Sequence, residues 1–181
     1  MKKKSVLSFV REISIIIIGV LIALLISNWN EYSNNKNYIE KTKSYIKKEV
    51  SKNKLELEKV QEKHSITIDS IQKFKVKNDF SIRDILANVK GLQLPELRNT
   101  GLRFFVANKA ELIDFETISQ LSSIDHLMEF VELKGKILID FIYAKMESTS
   151  LEDKNTLIIH LGELIESEKS LLNACNEYLE K

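Results

Sequence analysis

Between Ile13 and Ile26 the chain runs fourteen residues with Ser14 as its only polar side chain. Apolar surface left in water is unfavourable by about 25 cal/mol per Å². A stretch like this therefore belongs in the hydrocarbon of a membrane or in the core of a protein. Fourteen residues fall short of the ~20 that a bilayer-spanning helix takes. Counting from Val10 to Trp29 gives 20 residues, or ~30 Å of helix at ~1.5 Å per residue. Arg11 then reaches the headgroups along its aliphatic stem, and Trp29 suits the opposite interface. The expected membrane helix is 10–29, preceded by a short N-terminus, 1–9.

A secretory signal peptide is the main rival, since Met1-Lys2-Lys3-Lys4 ahead of an apolar run is its usual form. A cut after Ser27 would put Leu25 at position −3, and a cut after Ser33 would put Glu31 there. Neither gives the small residues that cleavage needs. A prepilin-type start is set aside as well, because Ser8-Phe9 places Glu12 fourth rather than fifth. An uncleaved anchor is preferred over a signal peptide, and both over a buried core helix. Lys2, Lys3, Lys4 and Arg11 flank the run on one side, with Lys36, Lys41 and Lys43 further off on the other. The positive-inside rule then keeps the N-terminus in the cytoplasm and sends the body across the inner membrane, to the periplasmic side.

Two groups of residues stand out around the span. Gly19, Ala23 and Ser27 recur every four residues and form a small-residue face on which another membrane helix, a second copy or a different protein, could pack closely. The competing explanation is that Gly and Ala are common in membrane helices. Arg11, Glu12, Asn28, Trp29, Asn30 and Glu31 mark the two interfaces.

The blocks Arg11-Glu12-Ile13, Ile18-Gly19-Val20-Leu21-Ile22-Ala23-Leu24 and Asn28-Trp29-Asn30-Glu31 resemble the start of a bacterial family of membrane-anchored proteins with a domain of unknown function. The N-W-N-E signature directly after the span is the most specific part. Thr100-Gly101 and Leu112-Ile113 are a looser match to the family's central region. The resemblance implies a single N-terminal anchor and a helical extracytoplasmic region, and it brings no activity with it.

Beyond the span, residues 30–181 are enough for one domain with its own core. The whole chain has five glycines and one proline, which favours long helices over a turn-rich β fold. Five asparagines between Asn28 and Asn37 are poor helix formers. With no Gly or Pro before Gly91, a continuous helix is still expected there, through a polar joint and on to Lys77. Along Lys36–Lys77, Ile39, Ile46, Val60 and Phe74 fall at d of a heptad, and Val50, Leu57 and Ile71 at a. Lys36, Lys43, Asn53, His64 and Thr67 take the other five a/d positions, which suggests a helix packed over only part of its length.

Shorter elements follow in 78–181. Ser81 with Asp84 reads as a capped helix start and Gly91 as its end. Pro95 suits the first turn of a helix ending near Phe105, with Arg103–Val106 as a weak strand alternative. Glu111–Leu121 reads as a helix, Ser122-Ser123 as a cap or a bend, and an apolar helix runs on to about Met146. Ser150 with Asp153 starts a last helix to Leu179, striped by Leu157, Leu161, Leu164, Leu171 and Cys175. The expected class is all-α: a transmembrane helix followed by an antiparallel helical bundle with short connecting helices.

The chemistry-bearing residues assemble into nothing familiar. His126/Glu129 and His160/Glu163 share helix faces, but E-x-x-H, the usual di-metal motif, does not occur. Cys175 is alone, so disulfide frameworks and multi-cysteine metal sites are excluded. No phosphate-binding or nucleophile-elbow motif is present. With 27 basic and 26 acidic residues, the chain is no general nucleic-acid binder. Charge nonetheless splits: 36–77 holds twelve lysines and six acids, net +6, and 78–181 holds eleven basic and eighteen acidic residues, net −7. That split fits packing of one part against the other, lysines near anionic headgroups, or self-complementary packing of copies in an oligomer. The expected role is a membrane-anchored interaction or scaffold protein, not an enzyme, without cofactor or metal. The alternative is a ligand-binding or sensing module acting through a partner.

Overall fold

The computed structural model describes residues 2–77, 79–109 and 112–180. Met1, Asn78, where the second part of the body was expected to begin, Glu111, the expected start of a helix, and Lys181 lie outside the described residues. Every regular element among those described is a helix: α1 (Lys2–Phe74), α2 (Ile82–Asn88), α3 (Thr100–Lys109), α4 (Phe115–Lys145) and α5 (Leu151–Leu179). The chain divides into two compact units, Met1–Lys43 and Ser44–Lys181.

In the first unit the helix passes through the asparagine-rich stretch without a break. Asn34 donates to Asn30 Oδ1 at 3.5 Å, so these two amides meet each other one turn apart instead of competing for the backbone.

The second unit is organised by three seams with the same step. On α1, Ile46, Val50, Asn53, Leu57, Val60, His64, Thr67 and Ile71 are buried, in steps of four and three. On α4 the buried series is Leu121, Ile124, Met128, Val131, Gly135, Leu138 and Ile142. On α5 it is Lys154, Leu157, Leu161, Leu164, Glu168, Leu171 and Cys175, with Ser167 buried beside Glu168. A 3,4 repeat keeps one face of a helix turned inward over many turns. The α1 seam is therefore fuller than its apolar residues suggested, because Asn53, His64 and Thr67 are also inside.

Helices α4 and α5 form an antiparallel hairpin. Lys134 pairs with Glu163 at 2.8 Å, Phe141 packs on His160 with ring centroids 5.2 Å apart, and Lys145 meets Asp153 at 3.3 Å. Numbers thus rise on one helix as they fall on the other. Ser150 caps α5, accepting from Asp153 N–H at 3.1 Å. The hairpin turn also receives α2: Ile82 and Arg83 donate their N–H groups to Ser148 O (3.0 Å) and Met146 O (2.9 Å). A helix start has free N–H groups, and here a neighbouring turn takes them. Ser81 and Asp84 form the capping box expected at this start. After α2 the chain turns through Lys90 (φ 63°) and Gly91 (φ 87°), both left-handed, which ends the helix.

Two local expectations are corrected, and one alternative is set aside. No helix begins at Pro95; residues 91–99 have no regular structure and α3 starts at Thr100. Proline holds its predecessor Leu94 away from the helical region. Asn53 then takes both the N–H and the C=O of Arg98, at 2.8 and 2.7 Å, so neither is free for a helix. Arg103–Val106 lies within α3 rather than in a strand. Ser122 and Ser123 do not bend the chain: both are exposed on the outer face of α4, while the seam runs unbroken from Leu121 to Ile124 beneath them.

Candidate functional site

The residues singled out for the membrane all lie on the first stretch of α1, and all are exposed. Ile16 is 65% exposed, Leu25 68% and Trp29 74%, and no face of the helix between Phe9 and Tyr32 is covered by the rest of the chain. Gly19, Ala23 and Ser27 line up along one side, and a Cβ added at Gly19 would meet nothing within 4 Å. Ser14 donates to Val10 O at 2.8 Å, so the one polar interruption of the run is tied back into its own helix. In hydrocarbon an unpaired hydroxyl is expensive, and this bond removes that cost. Arg11 and Glu12 at one end and Asn28, Asn30 and Glu31 at the other are likewise exposed. Among the described residues, α1 is the helix long and apolar enough to cross a membrane.

In the second unit, polar side chains at buried positions reach out to the irregular segment 91–99 and the start of α3. Glu49, near the head of the α1 seam, accepts from the N–H groups of Gly101 (3.3 Å) and Leu102 (3.2 Å). A carboxylate is thus set at the positive end of α3. The approach is close enough that a Cβ at Gly101 would run into the ring of Tyr45, which would have to shift. One turn on, Asn53 grips the Arg98 peptide. Gln93 is bound by its main chain and its side chain: its carbonyl faces His64 Nε2 at 2.8 Å, and its amide contacts Lys63 and Glu56.

His64 is the centre of this network. Its ring is wholly buried, with Glu168 of α5, equally buried, 3.2 Å from Nδ1. A carbonyl only accepts, so Nε2 carries a hydrogen for Gln93 O. Glu168 Oε1 has no partner among the described residues. The pair joins α1, α5 and segment 91–99 at one point. Lys154, wholly buried nearer the hairpin turn, bonds Lys77 O at 2.9 Å, and desolvation holds its amine below the usual lysine value.

The histidines singled out from sequence are used differently. Glu129 is taken by Arg103 at 2.7 Å and Glu163 by Lys134, so each carboxylate of the two His/Glu pairs already has a cation. His126 lies in a groove between α3 and α4 beside Arg103 and Asp125, and His160 packs on Phe141. No group of three or more metal-ligating side chains occurs among the described residues. Cys175 is wholly buried, and burial pushes its thiol up to about 11. The thiolate that chemistry requires is therefore disfavoured. Sequence reading passed over His64, Glu168, Glu49 and Lys154. For His64, Glu168 and Lys154 the usable signal is register, since a polar residue at a 3,4 position must be partnered inside; Glu49 lies off that register and carries no such signal.

The arrangement is thus an exposed apolar stretch of helix in one unit and a buried polar network in the other, whose Glu168 Oε1 has no partner among the described residues. No family model matches this chain, and comparison with curated proteins and with solved structures finds no match either.

Proposed function

We propose that this protein is a single-pass membrane anchor carrying a helical bundle that docks a partner, a tether or scaffold rather than an enzyme. The observation that carries the reading is the exposed apolar stretch between Phe9 and Trp29. A surface of that size is stable only against lipid or another apolar helix. The lysine-rich N-terminus favours the cytoplasmic side for residue 1, with the body across the inner membrane in the periplasm. Gly19, Ala23 and Ser27 then offer a close-packing face to a second copy or to another membrane helix. The N-W-N-E signature at 28–31 supports membership of the family it resembles.

In the second unit Glu49, Asn53 and His64 are each taken up by main-chain groups of the same chain, and this favours docking from outside over a ligand held between helices. The test is affinity purification of the full-length tagged protein from native membranes in mild detergent, followed by mass spectrometry. A stoichiometric membrane partner is expected, lost when Gly19 and Ala23 are both replaced by Leu. Monomeric protein recovered alone would overturn the tether. Release of the protein from membranes by alkaline carbonate would overturn the anchor itself.

A further inference from the structure

At the start of the second unit, Lys47, Lys48 and Lys52 of α1 line a groove of about 650 Å³ together with Ser44, Ser51 and Leu179 of α5. All three lysines are exposed, and none is in an ion pair among the described residues. The acids of the surrounding helix do not help them. Glu49 is the only carboxylate between Glu40 and Glu56, and it is turned inward and committed to the α3 N–H groups. Lys54, by contrast, is matched by Glu58 at 3.9 Å. Lys48 and Lys52 stand one turn apart, where like charges repel and weaken a helix. Three lysines without an ion-pair partner among the described residues, two serines and one leucine therefore line one open groove.

We infer that this groove binds a phosphate-bearing anion, with Lys47, Lys48 and Lys52 as its charge partners and Ser44 and Ser51 as hydroxyl donors. Ammonium groups bind phosphate as point charges and without strict geometry, which suits a cluster on flexible stems. Two sources supply such an anion, an anionic phospholipid headgroup or a soluble phosphate compound. Leu179 distinguishes them, because it offers an apolar surface that an acyl chain would use and a soluble phosphate would not.

The experiment is calorimetric titration of the full-length protein in an uncharged detergent. The titrants are short-chain phosphatidylglycerol, short-chain phosphatidylcholine and inorganic pyrophosphate, each at low and high salt. Binding of phosphatidylglycerol alone, weakened by Leu179→Asn, identifies the headgroup. Binding of pyrophosphate as well identifies a soluble phosphate anion. In either case Lys47→Gln/Lys48→Gln/Lys52→Gln should weaken binding by roughly fivefold per lysine, about 100-fold together. Added salt should weaken it further. The exposed Lys136→Gln serves as control, and circular dichroism checks that every variant keeps its helix content. Equal binding of phosphatidylcholine overturns the proposal, as does no binding by any titrant. So does a triple variant that binds like the native chain, or a Lys136 variant that loses as much as the triple.

Discussion

The two stretches of α1 obey opposite rules. From Ile13 to Ile26 the side chains are apolar on every face and every one is exposed. From Ile46 to Ile71 a 3,4 seam is inside, with Glu49 buried beside it, and three of the seam residues, Asn53, His64 and Thr67, are polar. Hydrophobicity alone would put the first stretch in a core and expel the three polar residues from theirs. Periodicity gives the right answer in both. A run without a 3.6-residue rhythm has no preferred inner face, and so needs an apolar medium all round. A 3,4 rhythm fixes an inner face, and whatever occupies it must then find partners there.

The largest expected effect breaks the first rule. Ile17→Asp with Leu21→Asp sets two charges at the centre of the span, each unfavourable there by about 2.5–3.5 kcal/mol. Carbonate extraction of membranes should release this variant, and retention would mean that the stretch does not span. Next comes the polar seam. His64→Ala leaves Glu168 buried without its partner, and about 3–5 kcal/mol of stability should be lost in urea unfolding of the detergent-solubilised chain. Glu168→Gln should be milder, because an amide N–H can still donate to Nδ1. Equal losses in the two variants would mean that the ring's packing matters and its proton does not.

Lys154 sharpens the comparison in the other direction. Its amine is held below 10.5 by desolvation, so an unfolded chain binds more protons as pH rises from the folded value toward 10.5. Stability should climb across that window. Lys154→Met should abolish the climb and stabilise the protein at neutral pH by about 1 kcal/mol. Lys77 O would still accept from Phe80 N–H at 3.4 Å. A loss of stability would show the ammonium to be a net favourable tie.

The smallest effect belongs to the caps. Asp84 is held below 3.8 chiefly by its hydrogen bonds from Ser81, and Asp153 chiefly by the hydroxyl of Ser148. Lower folded values mean that these caps contribute fully above pH 3.8 and fade as pH falls through the folded values. Asp153→Asn should flatten part of the acid limb of an unfolding curve, and an unchanged limb would remove the cap from the account.

What could be read from the chain beforehand follows from how local each signal is. Ser81 with Asp84 and Ser150 with Asp153 are decided within four residues, and both caps are where the spacing puts them. The α5 stripe was legible because its leucines carry it. Pro95 misled because its preference for a first helical turn is local, whereas Asn53, 45 positions from Arg98, decides that segment's backbone bonds. Ser122-Ser123 misled because serine favours caps and turns, yet the seam on the far side of α4 holds the helix through them. His64 looked like a gap in a stripe because its partners, Gln93 and Glu168, are distant in sequence.

The clamp at Asn53 also bears on which positions tolerate change. Its amide reads the peptide group of Arg98 and nothing of the exposed side chain, so position 98 is free to take almost any residue with a backbone N–H. Proline, which has none, is the exception. Position 53 has no such freedom, since aspartate would lack the donor and alanine would lack both functions. A saturation library should therefore give a nearly flat row at 98, notched at proline, beside a single peak at 53. Two residues that share a pair of bonds would then differ wholly in their mutational record.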